Sequence, residues 1–148
     1  MAGSNPMISQ GTLNRLRGST NFATHPELNV TASYLGKAGI TLQLEGESTT
    51  MIPAMAGVVT SPEPYMMATV VINLLKTQGL AGVYKAQMEN TCLIGDLVIT
   101  SDAVTLPTYY LSNAAIESVK EMSFNGEDAG WAVTIKGTYY INNALWAL

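Results

Sequence analysis

Three separated stretches of this chain alternate apolar and polar residues one for one, and that period of two constrains the fold more than any other feature. In Leu28-Asn29-Val30-Thr31-Ala32-Ser33-Tyr34 every odd member of the run is apolar and every even member polar. Ile40-Thr41-Leu42-Gln43-Leu44-Glu45 repeats the pattern, and so does Trp131-Ala132-Val133-Thr134-Ile135-Lys136, carried on by Tyr139 and Ile141. Successive side chains of a strand point to opposite faces, so strict alternation sets one face on a core and the other on water or a polar partner. Met66 to Leu75 is apolar on both sides apart from Thr69 and Asn73, which predicts a strand covered on both faces. Thr12 to Ala23, Leu93 to Thr100 and Thr108 to Phe124 are further strand candidates. The last is too long for one regular strand, and its alternation slips near Ser118, where a β-bulge is expected.

One segment changes period. Leu80, Val83, Tyr84 and Met88 fall at helical spacing, which predicts a helix over about 79–89 with Thr77 as N-cap and Asn90 as its stop. Gly79 and Gly82 weaken it by up to ~1 kcal/mol each, so tertiary packing must hold it. Thr60-Ser61-Pro62-Glu63-Pro64 cannot sit in a sheet interior, because its two prolines remove two donors. Asn125-Gly126-Glu127-Asp128 reads as a hairpin turn, and Gly36-Lys37-Ala38-Gly39 as a turn joining strands. Residues 46–57 read as a long loop or extended hairpin tip, polar first and then Met51-Ile52-Pro53-Ala54-Met55. Such an exposed apolar tip needs a partner surface. The order of strands, one helix and more strands gives one domain over residues 1–148. Its expected class is mostly β (α+β): two packed antiparallel sheets forming a sandwich or barrel with one flanking α-helix.

Composition narrows the function by exclusion. Charged residues make up 12% of the 148 residues, roughly half the ~25% usual for soluble domains. The formal net charge of -4 and the scattered Lys and Arg argue against a nucleic-acid-binding surface. No apolar run approaches the ~20 residues of a membrane span, and the opening MAGSNPMISQ has no basic region followed by an apolar core. The expectation is a protein made in the cytosol. Subunit interfaces are depleted in charge and enriched in Tyr and Met; seven Tyr, eight Met and few charges suit a surface covered by copies of the same chain. An ordinary uncharged β domain accounts for the same composition equally well.

Catalytic chemistry needs convergent polar or titratable groups, and few candidates exist. His25, the one imidazole, sits in Thr24-His25-Pro26 with no nucleophile pattern beside it. Cys92 has no partner for a disulfide and reads as a small buried residue. Glu45, Glu47 and Glu63 have no placeable partner acid for paired-carboxylate hydrolysis. No spacing of His and Cys offers metal ligands. Trp131 could serve as a sugar platform, as could Trp146, but Trp131 falls on the apolar face of its strand, where core packing is the simpler reading. Asn29-Val30-Thr31 is a formal glycosylation sequon without a secretory route to use it. No enzyme, cofactor or metal is expected.

Four stretches together carry a resemblance: MAGSNPMISQGTLNRLRGS at the start, LNVTASYLGKAGITL, SPEPYMMATVVINLLKTQGLA, and AIESVKEMSFNGEDAGWAVTIKGTYYIN near the end. The chain resembles the tail tube proteins of contractile-tailed bacteriophages over essentially its whole length, through overall likeness and order of elements, not a short diagnostic motif. That resemblance implies packed β-sheets flanked by a helix, in hexameric rings stacked into a hollow tube through which genomic DNA passes without specific binding. It implies a virion-tail location after assembly in the bacterial host cytoplasm. Its partners would be the chain itself, a tail sheath protein, and baseplate and tail terminator proteins. It makes Met51, Ile52 and Met55 candidates for the contact between rings, and Glu45, Glu47 and Asp128 candidates for lumen-facing acids. Arg15 and Arg17 share one strand face and could meet acids of a neighbouring subunit, or simply face solvent. The alternatives are the tube of a related contractile injection machine, a capsid decoration or head-completion protein, and a carbohydrate-binding β-sandwich using Trp131 or Tyr109-Tyr110.

Overall fold

A computed structural model describes residues 17–120, 123–127 and 129–146. Arg15 and Asp128 lie outside them, as does the first part of the 12–23 strand candidate. The chain is mostly β. In order come β1 (Gly18–Phe22), two 3-10 turns (Pro26–Leu28 and Ala32–Tyr34), β2 (Leu35–Glu45), β3 (Thr49–Ala54), β4 (Gly57–Pro62) and β5 (Tyr65–Leu75). After these follow α1 (Leu80–Asn90), β6 (Leu93–Ser101), β7 (Tyr109–Lys120), β8 (Gly130–Tyr140) and a short turn of helix, α2 (Asn143–Trp146). Six strands form one antiparallel sheet in the order β1-β6-β7-β8-β5-β2, and β3 with β4 forms a separate two-stranded sheet. The large sheet curls until its two edges meet: a Cβ added to Gly18 of β1 would stand 3.4 Å from Ile40 Cδ1 of β2. This is the sandwich or barrel class that the alternation predicts, with α1 on its flank.

Cross-strand register fixes which side chains share the core. Ile40, Leu42 and Leu44 of β2 stand opposite Ile72, Val70 and Ala68 of β5, and these in turn opposite Val133, Ile135 and Gly137 of β8. Val70, Ile72, Val133 and Ile135 are fully buried. Full burial of such a side chain is worth ~1.5–3 kcal/mol. Tyr84 of α1 closes the core from outside the sheet. Its ring meets Trp131 edge-on at 6.0 Å between centroids, and its hydroxyl donates to the Leu28 carbonyl at 2.8 Å. The helix is thus held by packing, as its two glycines require.

Three expectations are corrected. Residues 28–34 form no strand: Pro26 opens a 3-10 turn, Asn29 Oδ1 accepts the Phe22 amide at 2.7 Å, and only Val30 bridges Thr20 of β1, at 2.9 Å in both directions. Leu28 and Val30 do bury their side chains, so the alternation marked core anchors on an irregular backbone. Gly36 to Gly39 lies within β2 as a bulge, with Gly39 at φ 66, the register slipping between Leu35 and Ile40, and Asn73 Nδ2 donating to the Gly39 carbonyl at 3.0 Å. The N-cap of α1 is Gly79, without a side-chain cap bond, because Lys76 to Gln78 are used in the turn out of β5, where Gln78 N–H donates to the Leu75 carbonyl. Of the two readings of residues 46–57, a long loop or an extended hairpin tip, the second holds: Thr49, Thr50, Val58, Val59 and Thr60 are β-branched and pair as the β3–β4 hairpin, with Met55-Ala56 at its turn. Pro53 and Pro62 fit there, since both strands of a two-stranded sheet are edges.

Other expectations hold in detail. The helix stops at Asn90, with Thr91 N–H donating to the Gln87 carbonyl at 2.8 Å. The register of β7 against β8 slips between Ile116 and Ser118, where the alternation of residues 108–124 falters. The cover expected on both faces of β5 is found on one only: Ala68, Val70, Ile72 and Leu74 are buried, while Thr69, Val71, Asn73 and Leu75 on the other face are half-buried and Met67 is exposed. Flanking strands shield that second face, and no further layer of described residues covers it.

Candidate functional site

The titratable residues disperse. His25 Nδ1 lies 3.2 Å from the Ile94 carbonyl and 3.0 Å from Thr24 Oγ1, so the ring ties one loop to β6. Cys92 is half-buried, its Sγ 3.8 Å from the Met88 carbonyl. Trp131 is buried in the core and its Nε1–H donates to the Leu75 carbonyl at 3.4 Å, which leaves no platform for a sugar. Tyr109 stacks at a tilt on Tyr139, 5.6 Å between centroids, while Tyr110 is exposed. Among the described residues no group of three or more His, Cys, Asp and Glu could hold a metal ion. No helix among them is long and apolar enough to cross a membrane.

What the chain does present is an arm. From β3 through β4 every residue between 51 and 60 is exposed, and Met51, Ile52, Met55, Val58 and Val59 are among the most exposed large apolar side chains, Met55 completely so. Met51 faces Thr60 and Ile52 faces Val59 across the hairpin, so both faces of the ribbon carry apolar residues. Residues 48–62 contain no charge. Methionine side chains adapt to irregular surfaces, and a contiguous apolar projection of this kind marks an interaction site.

The arm springs from one end of the sheet, where Tyr65 and Tyr140 form an exposed cross-strand pair. Its root is acidic. Glu63 Oε1 accepts from Thr50 Oγ1 at 3.0 Å, Glu47 is exposed in the bend after β2, and Glu45, Glu47 and Glu63 border one recess. At the opposite end a groove opens between α1 and β7–β8, where Met88, Val119, the exposed Phe124 and the Lys85–Glu89 ion pair surround a floor made by the buried Tyr84 and Trp131. From Tyr65↔Tyr140 to Leu74↔Trp131 the separation is nine residues of strand, about 30 Å at ~3.3 Å per residue.

The face of the sheet turned away from the core mixes polar residues with Met67, Val71 and Leu75 of β5. Thr41, Gln43 and Glu45 of β2, Thr69 and Asn73 of β5, and Thr134, Lys136 and Thr138 of β8 share it by register. A row of contacts crosses its middle. Glu45 Oε1 accepts from Thr69 Oγ1 at 2.8 Å, and Lys136 Nζ lies 3.8 Å from Glu45 and 3.6 Å from Glu117, which the β7 bulge brings alongside. Lys136 is thus held between two carboxylates. Edge strands β1 and β2 have no hydrogen-bonded neighbour on their outer sides in either sheet among the described residues, apart from the single Thr20↔Val30 bridge. Arg17 pairs with Asp102 of its own chain through Nε to Oδ2 at 2.8 Å and the backbone amide to Oδ1 at 2.9 Å. Those bonds hold the Asp102 carboxyl below its ordinary pKa, and they replace the pairing with a neighbouring subunit's acids expected as one use for this arginine.

Among the candidate contact residues, the hairpin brings Met51, Ile52 and Met55 together on the arm. Glu45 stands on the outer face and Glu47 in the bend, so only the first belongs to the row with Lys136. Sequence reasoning missed Glu117, because the bulge puts it on the side that alternation denies it. It also missed Asn142, whose only signal was an Asn-Asn pair closing an alternating strand. Compared with known proteins, the chain matches no protein-family model and no curated protein.

Proposed function

We propose that this protein is a structural protomer that self-assembles into a hollow tube, as the resemblance to phage tail tube proteins implies, and that it carries no catalytic role. One observation carries the reading: an uncharged arm, apolar on both faces, projects from one end of a sheet whose edges are open. Side-by-side association at β1 and β2 would satisfy the edge groups and remove an aggregation hazard. End-to-end association would bury the arm, and the groove at the far end, where Met88, Val119 and Phe124 flank the Lys85–Glu89 ion pair, is a surface that a second copy can offer it. Two different patches meeting in this way form a head-to-tail contact, which propagates into a filament.

On this reading the outer face of β2, β5, β8 and β7 lines the channel. Lys136, masked by Glu45 and Glu117, presents little free positive charge to DNA phosphates, so the duplex would slide without binding. Hexameric rings, a place in the virion tail, and sheath, baseplate and terminator partners belong to the same proposal. The tube of a related contractile injection machine would share every one of these features. Negative-stain electron microscopy of the purified protein over a concentration series tests the proposal. Hollow filaments or stacked rings support it; discrete rings that never stack point to a capsid decoration protein, and monomers at all concentrations count against self-assembly.

A further inference from the structure

We propose that Asn142 is the positioning residue that fixes the direction of the arm and joins it to the C-terminal turn, so that both engage a second copy of this chain as one unit. The inference rests on the self-assembly reading for its partner, but its geometry stands independently. The arm is joined to the body by the chain on either side of it, at Gly46 to Ser48 and at Glu63-Pro64. Gly46 has φ 88, a backbone region that L side chains rarely adopt, so this connection alone is a pivot. Asn142 closes it. Its side-chain amide donates to the Ser48 carbonyl at 3.2 Å and to the Glu63 carbonyl at 2.8 Å, one on each root of the hairpin. Around it, Glu63 N–H donates to the Ser48 carbonyl at 3.0 Å and Ile141 N–H to the Pro64 carbonyl at 3.2 Å.

Two requirements meet at this position. Asn142 has φ 52, where glycine, asparagine and aspartate are the residues accepted at least cost. Facing two carbonyl oxygens, it must also supply two N–H donors, and of those three only asparagine has them on its side chain. The same residue begins α2: its carbonyl accepts from Leu145 N–H at 2.9 Å and Trp146 N–H at 3.2 Å. Leu145 and Trp146 are both exposed. Hence a single residue ties the apolar arm to a second apolar projection. Neither residues 48–62 nor residues 141–148 contain a charge, so nothing here would hold a phosphate or an anionic membrane. On the self-assembly reading the partner is the groove of another copy, where Met88, Val119 and Phe124 supply apolar surface and Lys85 and Glu89 neutralise each other as an ion pair.

The test uses Asn142→Asp and Asn142→Gly in the full chain. Both accept the backbone angle and both remove the donors, so either serves if the other fails to fold. In dilute, unassembled protein, amide exchange at Glu63 and Ile141 should accelerate about tenfold, the order expected for losing a hydrogen bond at each root, while Val70 and Val133 keep wild-type protection. The concentration at which assembly begins should rise by a similar factor. Wild-type exchange at Glu63 and Ile141 in both variants overturns the clamp. Faster exchange with an unchanged assembly threshold overturns its link to docking. A wild-type protein that never assembles overturns the tube reading and the docking link with it, leaving the clamp to be decided by exchange alone.

Discussion

Replacing Met51, Ile52 and Met55 together with serine separates the arm's contribution to assembly from any contribution to folding. The three side chains expose 61%, 47% and 106% of their surface in the single chain. Full burial of such a residue is worth ~1.5–3 kcal/mol, so the exposed fractions amount to about 3–6 kcal/mol per protomer if a neighbouring copy covers them completely. An interface that covers them incompletely delivers the lower figure, about 3 kcal/mol, or roughly two decades in the concentration needed for assembly at ~1.4 kcal/mol per decade. Folding should hardly change, since substitutions at exposed sites usually stay within about 0.5 kcal/mol. Thermal unfolding below the assembly threshold should therefore superimpose on the wild type, while light scattering and electron microscopy show the threshold rising about a hundredfold. A triple variant that forms long tubes at the wild-type threshold refutes the assignment of the arm. A fall of many degrees in Tm refutes it differently, by showing that the arm packs on its own body.

Further outcomes follow from the core. Val133→Asp puts a carboxylate where no surface is exposed, a cost of several kcal/mol comparable with a domain's whole stability, so soluble protein should vanish; ordinary expression would show that this face is not the core. Gly137→Val would set a Cβ 3.3 Å from Leu111 Cβ and 3.4 Å from Ala114 Cβ, and overpacking of that kind costs ~1–3 kcal/mol, read as a lower Tm; an unchanged Tm would mean that β7 yields freely. Burial raises the pKa of Tyr84 above its ordinary 10.0, so the hydroxyl stays protonated in the fold while the unfolded chain ionises. Its contribution is present below about pH 10 and lost as pH climbs towards the raised value. Tyr84→Phe should flatten that alkaline loss at about 1 kcal/mol of stability for the orphaned Leu28 carbonyl; identical alkaline limbs in urea titrations would contradict the assignment.

Much of the sheet was legible in the sequence because burial on one face writes itself as alternation. Trp131, Val133 and Ile135 are in the core for that reason, and the faltering near Ser118 is a bulge because an extra residue shifts the phase. The same signal misled at Leu28 to Tyr34. Alternation reports which side chains are buried, and Leu28 and Val30 are; it says nothing of whether the backbone between them is extended, and Pro26 turned it into 3-10 geometry. The arm was legible as an exposed apolar stretch, but whether it was a loop or a hairpin tip was not. With no core to face, β3 and β4 show no period, and the β-branched residues on either side of Met55-Ala56 were the only cue to pairing. Lys136 between Glu45 and Glu117 was beyond reach, because the three lie on three strands and meet through register alone.

The meeting of β1 with β2 at Gly18 has a consequence for what the chain becomes. The two strands touch there without a ladder of hydrogen bonds, so the molecule stands at a seam. Zipped within one chain, that seam would give a sealed barrel with nothing left to share; left open, it offers two strands to neighbours. A Cβ at position 18 would just reach ordinary van der Waals contact with Ile40. A side chain larger than alanine at position 18 would wedge the seam and favour pairing between copies. On the proposed self-assembly, residue 18 would weigh on whether copies pair at this seam, far from the arm.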